Sequence, residues 1–442
     1  MHKNENRPGY KKTKVGWIPE DWKYVSLGDI SRVVRGGSPR PAGSPLFFNG
    51  DYIPWITVAE LTNDKGIYLS KTKSCLTKEG ANRSRIFPPG SLLLANSGAT
   101  LGVPKITTIE ACANDGIAGF FDLSDNVNKL FIYYFLTLKT KYLRECLAPG
   151  IGQPNLNTEL ISSLKAPFPP LPEQKAIAEV LECWDKGIVN LELKIVKKRN
   201  IKKGLMQALL SGKIRLPGFG KTHHEGHEGN EGGNIPEGWR VIRLGEVGEF
   251  SKGKGISRKD VVENGFPCIR YGEIYTTEDF VKISFNSYIT KETSHSSKPI
   301  NRNTLLLAGS GETVEDIGKA LAYMGEEKAY AGGDIVIFKP EEEKARADYL
   351  SYYLNTTGRR RIQRLGQGQS VVHVYSRDLT GMVVTLPQIE EQNKIISIFA
   401  NVESEIVTLG KKMELLKDQK KYLLNNLVTG TIRLPAFRKD SP

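Results

Sequence analysis

One long amphipathic pattern occurs twice in this chain, and everything else must be arranged around it. From Glu173 to Leu210 the apolar residues fall at Ile177, Leu181, Trp184, Ile188, Leu191 and Ile195, then at Leu205 and Leu209. Their steps alternate four and three, the seam of a heptad helix. Lys198 and Lys202 occupy the seam positions between. The pattern returns 218 positions later, the distance from Gln174 to Gln392, as Ile395, Phe399, Val402, Ile406, Leu409, Met413, Leu416, Leu423 and Leu427, with Lys420 matching Lys202. Each copy starts with a proline and a Glu-Gln pair: Pro172-Glu173-Gln174, and Pro387 followed by Glu391-Gln392. In the second copy Gln388-Ile389 and Glu390 stand between the proline and the Glu-Gln pair. Each ends on a glycine and one shared closing phrase, Gly212-Lys-Ile-Arg-Leu-Pro-Gly-Phe219 and Gly430-Thr-Ile-Arg-Leu-Pro-Ala-Phe437. Proline before and glycine after are the expected punctuation of a helix. Two unrelated helices would not share register, caps and closing phrase.

The repeat extends upstream. Ile18-Pro-Glu-Asp-Trp22, followed by Leu27-Gly28, comes back as Ile235-Pro-Glu-Gly-Trp239 and Leu244-Gly245. Between this lead-in phrase and the helix each copy holds about 150 residues that share a skeleton and little surface sequence. Ile53-Pro-Trp-Ile-Thr57 answers to Pro267-Cys-Ile-Arg270, and Gly90–Gly98 to Thr304–Gly311, a buried strand running into a turn of small residues. Tyr133-Tyr134 is matched with Tyr352-Tyr353, and Gly152-Gln153 with Gly368-Gln369. Short β-branched runs, glycine turns and one or two helices predict a mixed α/β (α+β) domain in each copy. The expected division is a tail (1–14), a first domain (15–170), a first spacer helix (171–212) and a linker (213–234). A second domain (235–386), a second spacer helix (387–430) and a C-terminal tail (431–442) follow. The linker stretch Gly220 to Gly233, GKTHHEGHEGNEGG, reads as a flexible connection. Its histidines, His223, His224 and His227, are expected to hold no metal.

At 442 residues the chain can bury two or three cores, and 39% hydrophobic with 25% charged residues suits a soluble globular protein. Against 49 acidic residues stand 62 Lys and Arg, a net charge of +13, which favours a polyanionic partner such as nucleic acid. The start MHKNENRPGYKK lacks the apolar core of a secretory signal, and the apolar run at Leu130–Leu138 is too short to span a bilayer. Five scattered cysteines without C-x-x-C spacing read as reduced thiols of a cytoplasmic protein.

Catalytic machinery is not legible. Phe87-Pro-Pro-Gly90 and Phe168-Pro-Pro-Leu171 lack the flanks of a loop that would hold a flipped base, and Gly253-Lys-Gly255 is only a pair of glycines. In Gly311–Lys319 the glycine spacing is wrong for a phosphate loop, and Ala320 stands where Ser or Thr would bind magnesium. Glu192-Leu-Lys194 lies on the outside of the seam helix. The chain is expected to be non-catalytic, with no metal site.

What the pattern suggests instead is a caliper. Thirty-eight helical residues would span roughly 57 Å at 1.5 Å per residue. Two antiparallel helices would hold two divergent domains so that each meets its own half of a duplex site. The chain resembles the specificity subunit of a Type I restriction–modification system. The resemblance rests on Ile-Pro-x-x-Trp, the Gly-Gly-Ser-Pro-Arg loop at Gly36–Arg40, the Leu-Pro that precedes a Glu-Gln pair at the start of each helix, and the Ile-Arg-Leu-Pro ending, and it covers residues 15 to 437. It implies two target recognition domains in pseudo-twofold repeat, with the helices as spacers that bind two modification (methyltransferase) subunits. It also implies restriction (translocase/nuclease) subunits as partners. S-adenosylmethionine, ATP and magnesium would then belong to those partners and not to this chain.

Base and phosphate contacts call for Arg, Lys, Asn, Gln, Ser and Thr on loops. In the first domain these are Arg35, Arg40, Lys73, Arg83, Ser97, Thr100, Lys105, Gln153 and Asn155. In the second they are Lys252, Lys254, Arg258, Arg270, Ser310, Thr313, Lys319, Gln367 and Gln369. A coiled-coil scaffold with incidental basic charge, and the specificity subunit of a methylation-only system, are the alternative readings.

Overall fold

A computed structural model of the chain describes residues 7–14, 16–63, 65–147, 155–220, 235–277, 280–311, 313, 317–367 and 372–438. Both seam patterns form single helices of 40 residues, Leu171–Leu210 and Ile389–Val428. The chain divides into two compact units that cut both helices in the middle. Unit 1 comprises 1–192 and 411–442, and unit 2 comprises 193–410. Each unit therefore holds one domain, the first half of one long helix and the last half of the other.

In unit 1 a five-stranded sheet runs in the order Arg32–Arg35, Ile117–Phe121, Leu92–Ala95, Pro104–Thr107, Tyr68–Leu69, antiparallel except for its last pair. A second sheet runs Ser74–Leu76, Phe48–Ile56, Ala111–Ala113, Arg85–Phe87, with its central pair parallel. Unit 2 repeats both. Its first sheet is ordered Gly248–Lys252, Ile335–Pro340, Thr304–Ala308, Ala320–Tyr323, Val281–Lys282, again with a parallel last pair. Its second adds one short strand, Val261–Val262, at the edge. The two apolar runs matched from sequence, Leu92–Ala95 and Thr304–Ala308, are the central strands, and continuous burial explains why neither alternates polar and apolar residues.

A domain helix in each unit, Lys129–Tyr142 and Ala347–Asn355, packs between the first sheet and the long helices. Gln174 Oε1 accepts the backbone N–H of Asn128 at 2.8 Å, while its amide donates to the carbonyls of Asn126 (3.0 Å) and Pro169 (2.9 Å). Gln392 does the same with Arg346 N (3.0 Å), Lys344 O (3.1 Å) and Pro387 O (3.0 Å). Asn128 thus corresponds to Arg346, which pairs Tyr134 with Tyr352. Matching the Tyr-Tyr dipeptides is one residue out of register, because Tyr133 takes the place of Ser351.

The seam lysines confirm the corrected register. In unit 1 the Lys420 ammonium pairs with Asp185 at 2.5 Å and lies 5.8 Å from the Tyr134 ring. In unit 2 Lys202 pairs with Glu403 at 2.5 Å and lies 5.4 Å from the Tyr352 ring. Lys198 pairs with Glu405. Partners along one helix ascend while those on the other descend, so the helix halves within each unit run antiparallel. Burial and the adjacent Asp185 carboxylate push the Tyr134 hydroxyl well above its ordinary value. Ile177, Leu181, Leu209, Ile395, Phe399 and Leu427 are the best-buried seam residues, each at 2% exposure or less. Trp184, Leu191, Leu205, Val402, Leu409, Met413, Leu416 and Leu423 are only half-buried.

The lead-in phrase, the Glu-Gln pair and the closing phrase turn out to be parts of one clamp. In unit 1 the buried carboxylate of Glu173 accepts from Trp22 Nε1 at 3.0 Å and from Arg433 at 2.9 and 2.5 Å, and Arg433 also grips Asp21. In unit 2 Glu391 accepts from Trp239 Nε1 at 3.1 Å and from Arg215 at 2.9 and 3.0 Å, and Arg215 donates to the Glu237 carbonyl. The closing phrase of each repeat thereby locks the lead-in phrase of the other.

All five cysteines are unpaired. Cys112 and Cys268 are fully buried, and burial pushes the Cys268 thiol up to about 12. A thiolate-specific reagent at neutral pH should therefore label exposed Cys146 and Cys183 first and half-buried Cys75 more slowly. Cys112 and Cys268 should react only after denaturation. Rapid labelling of all five in the native protein would contradict this core arrangement.

Candidate nucleic-acid interface

Loop backbones converge at one end of the sheets in unit 1. The Gly36 N–H donates to Ile117 O (2.8 Å) and Gly37 N–H to Ala113 O (2.9 Å), tying the Gly-Gly-Ser-Pro-Arg loop to the turn 113–117. Asn96 N–H donates to Gly116 O (2.9 Å), Leu156 N–H to Asn96 O (2.7 Å), and Ser97 bridges to Asn155. Gly36 has to be glycine, since any Cβ there would be driven into the Asn114 carbonyl. On this rim the Asp115 side chain accepts from Ser38 Oγ at 2.8 Å and meets Arg40 at 3.5 Å, while Arg35 Nε donates to the Asp115 carbonyl. Arg40 remains 71% exposed in its side chain. A guanidinium held by a carboxylate yet open to solvent is pre-positioned for a phosphate or a guanine edge.

Unit 2 builds the same rim from the same backbone bonds: Gly253 N–H to Ile335 O (2.9 Å), Lys254 N–H to Ala331 O (3.1 Å), Gly309 N–H to Asp334 O (2.8 Å), Val374 N–H to Gly309 O (3.0 Å). Gly253 repeats the close approach of Gly36, here against the Gly332 carbonyl. The side chains differ. Gly333 stands where Asp115 was, Lys252 faces Asp334 at 3.8 Å, and His373 replaces Asn155 beside Ser310.

Of the residues singled out from sequence, Arg35, Arg40, Ser97 and Asn155 share the first rim, and Lys252, Lys254 and Ser310 the second. Arg83 is next to the first rim: its guanidinium lies 5.2 Å from the Phe47 ring, and the neighbouring Ser84 Oγ donates to Gly37 O at 2.6 Å. Thr100, Thr313, Arg258 and Lys73 are exposed, and the Lys73 backbone is held by Glu60. Gln367 is exposed and pairs by backbone with His373. Arg270 is folded back onto Glu273 at 3.1 Å. Lys105 departs from the expected surface role: it is 2% exposed, and its ammonium donates to the Gly66 carbonyl inside its own domain. Lys319 likewise pins Tyr275 O at 2.8 Å and Thr277 O. A lysine followed by an alternating apolar strand gives no sign of which way it points. Gln153, Gln369 and the linker histidines lie outside the described residues.

Sequence reasoning passed over Asp115, which organises the first rim, and the cationic stretch Arg359-Arg-Arg-Ile-Gln-Arg364. The second was visible as four arginines in six residues.

Two divergent copies of one scaffold, each offering a loop rim with its own polar side chains, define a class of paired recognition modules. The profile of the Type I restriction modification DNA specificity domain matches the chain twice, at residues 19–198 and 236–417. The chain belongs to the family of Type I restriction–modification specificity subunits, a non-catalytic family. It is 26% identical to the type I restriction enzyme MjaIX specificity subunit of Methanocaldococcus jannaschii over 438 residues, 96% of each chain. The MjaVIII specificity subunit of the same organism is 24% identical over 456 residues, covering 98% of this chain and 97% of the relative. Among solved structures, a chain from work on complex assembly and conformational transition of the type I R-M system superposes with a TM-score of 0.60 at 16% identity, over 94% of this chain and 99% of that one. The HsdS subunit from Thermoanaerobacter tengcongensis gives 0.52 at 15% identity, over 96% and 100%. No helix among the described residues is long and apolar enough to cross a membrane.

Proposed function

We propose that this chain is the DNA-reading subunit of a Type I restriction–modification complex, with each domain reading one half of an asymmetric, bipartite duplex site. The observation that carries the reading is the pair of rims, alike in backbone hydrogen bonds and unlike in side chains: Arg35, Arg40 and Asp115 against Lys252, Lys254 and Gly333. A common backbone with different polar groups is what two half-sites of different sequence require. The long helices would serve as the platform for two modification subunits, and restriction subunits would join that complex. S-adenosylmethionine, ATP and magnesium would be bound by those partners.

Replacing residues 235–386 with the matching domain of a relative, then mapping methylated adenines in a host expressing the complex, tests the reading. One half of the recognised sequence should change and the other should stay. A change in both halves, or in neither, contradicts independent reading by the two domains.

A further inference from the structure

We propose that unit 2 carries a DNA-backbone grip, built by the helix Arg359–Arg364 and the strand-to-helix turn at His373–Arg377, that the first domain lacks. This rests on the DNA-reading function proposed above. Ile362 is fully buried and seats the short helix against Gly318, whose N–H donates at 2.9 Å to the carbonyl of Ala308, next to Gly309 of the rim. Arg361 is committed to structure, donating to Val383 O at 2.9 Å and reaching the Tyr353 hydroxyl at 3.4 Å. Arg360 and Arg364 differ: both are exposed, they stand four apart on one helix face, and neither has an ion-pair or side-chain hydrogen-bond partner among the described residues. Two like charges at that spacing repel each other. An anion lying between the two guanidiniums would relieve that repulsion.

Three residues beyond the helix, Gln367 is backbone-bonded to His373, which brings a second feature alongside. The His373 and Tyr375 rings are stacked at 6.1 Å and 20°, and Arg377 lies 5.3 Å from the Tyr375 ring while meeting Asp378 at 3.5 Å. Tyr375 is 46% exposed. A stacked, solvent-facing ladder of ring and guanidinium suits a sugar–phosphate edge.

The first domain shows what the same scaffold looks like without the feature. Leu143 takes the place of Ile362, against Gly102. Two residues to either side stand Lys141 and Glu145, a mutually neutralising pair at 3.9 Å where unit 2 has Arg360 and Arg364. Asn155, Asn157 and Glu159 occupy the positions of His373, Tyr375 and Arg377, since Asn157 and Tyr375 both cap the helix that follows. Three arginines therefore replace one lysine and two glutamates. Duplex phosphates fit this face better than an acidic protein surface because it continues the rim on which the bases would be read.

The test uses the full chain and a labelled mixed-sequence DNA duplex, with affinity followed as salt is raised. For the parent, log affinity should fall steeply with log salt. Arg360→Ser with Arg364→Ser should reduce that slope by about 2, since each phosphate contact contributes about 0.9. Tyr375→Ala should weaken binding at low salt with a smaller change of slope. Lys141→Ser with Glu145→Ser in the first domain should change neither quantity. If the parent slope is steep and the double-arginine variant keeps it, the grip is overturned while the DNA-reading function stands. Loss of assembly with modification subunits at an unchanged DNA slope also overturns it, and assigns the face to protein. A parent that shows no salt-dependent binding refutes both readings.

Discussion

Arg433→Ala is expected to destabilise unit 1 by about 3–5 kcal/mol, because it removes one partner of a buried, hydrogen-bonded ion pair. Glu173 is fully buried, and its carboxylate accepts from Trp22 Nε1 and from the Nε and Nη2 of Arg433, whose other edge donates to Asp21. Alanine leaves Trp22 as the remaining donor to that charge. Replacing the whole pair with neutral shapes, Glu173→Gln with Arg433→Met, should cost less than the single change, since no fully buried charge is left unpaired and Asp21, which also loses Arg433, is partly open to water. Hydrogen exchange at residues 16–26 and denaturant unfolding read out both variants. Arg215→Ala should act the same way on unit 2 through Glu391. A cost below about 1 kcal/mol, or a double variant worse than the single one, would mean that the clamp does not hold the unit together.

Gln392→Glu is expected to be nearly as damaging, although it changes one group of atoms. The Gln392 amide donates to two carbonyls, Lys344 O and Pro387 O, and its oxygen accepts from Arg346 N. A carboxylate would put negative charge against two carbonyl oxygens at a fully buried site, costing several kcal/mol. Gln392→Met keeps the volume and orphans three backbone groups, at about 1–3 kcal/mol each before relaxation. Thermal unfolding should place both variants well below the parent. The same series at Gln174 should repeat in unit 1. Equal stability of the Glu variant and the parent would show that this side chain is oriented otherwise.

The long helices were legible because a heptad seam survives any surface divergence: burial fixes Ile177, Leu181, Ile395 and Phe399 whatever the domains read. The central strands were legible for the same reason. What could not be read was direction. Lys105 and Arg40 look equivalent in sequence, yet one closes onto a carbonyl within its own domain and the other faces water. Nor does spacing reveal that Glu173 waits for an arginine 260 positions away, since the long-range clamp only shows up as two short phrases that happen to recur. The register of Tyr134 was misread because Ser351 breaks an otherwise matching dipeptide, and packing against a lysine proved a better guide than identity.

Because the boundary between the units falls inside both helices, a protease cut engineered within residues 221–234 would yield two fragments that each supply parts to both units. The pieces are then bivalent toward one another. When the Arg215–Glu391 contact opens, the Arg433–Glu173 contact keeps its counterpart near at an effective concentration on the order of millimolar, and the reverse holds as well. Separating the fragments would need both contacts to open together. The severed chain should therefore dissociate far more slowly than either contact alone would allow, and two independently made fragments should find each other in dilute solution.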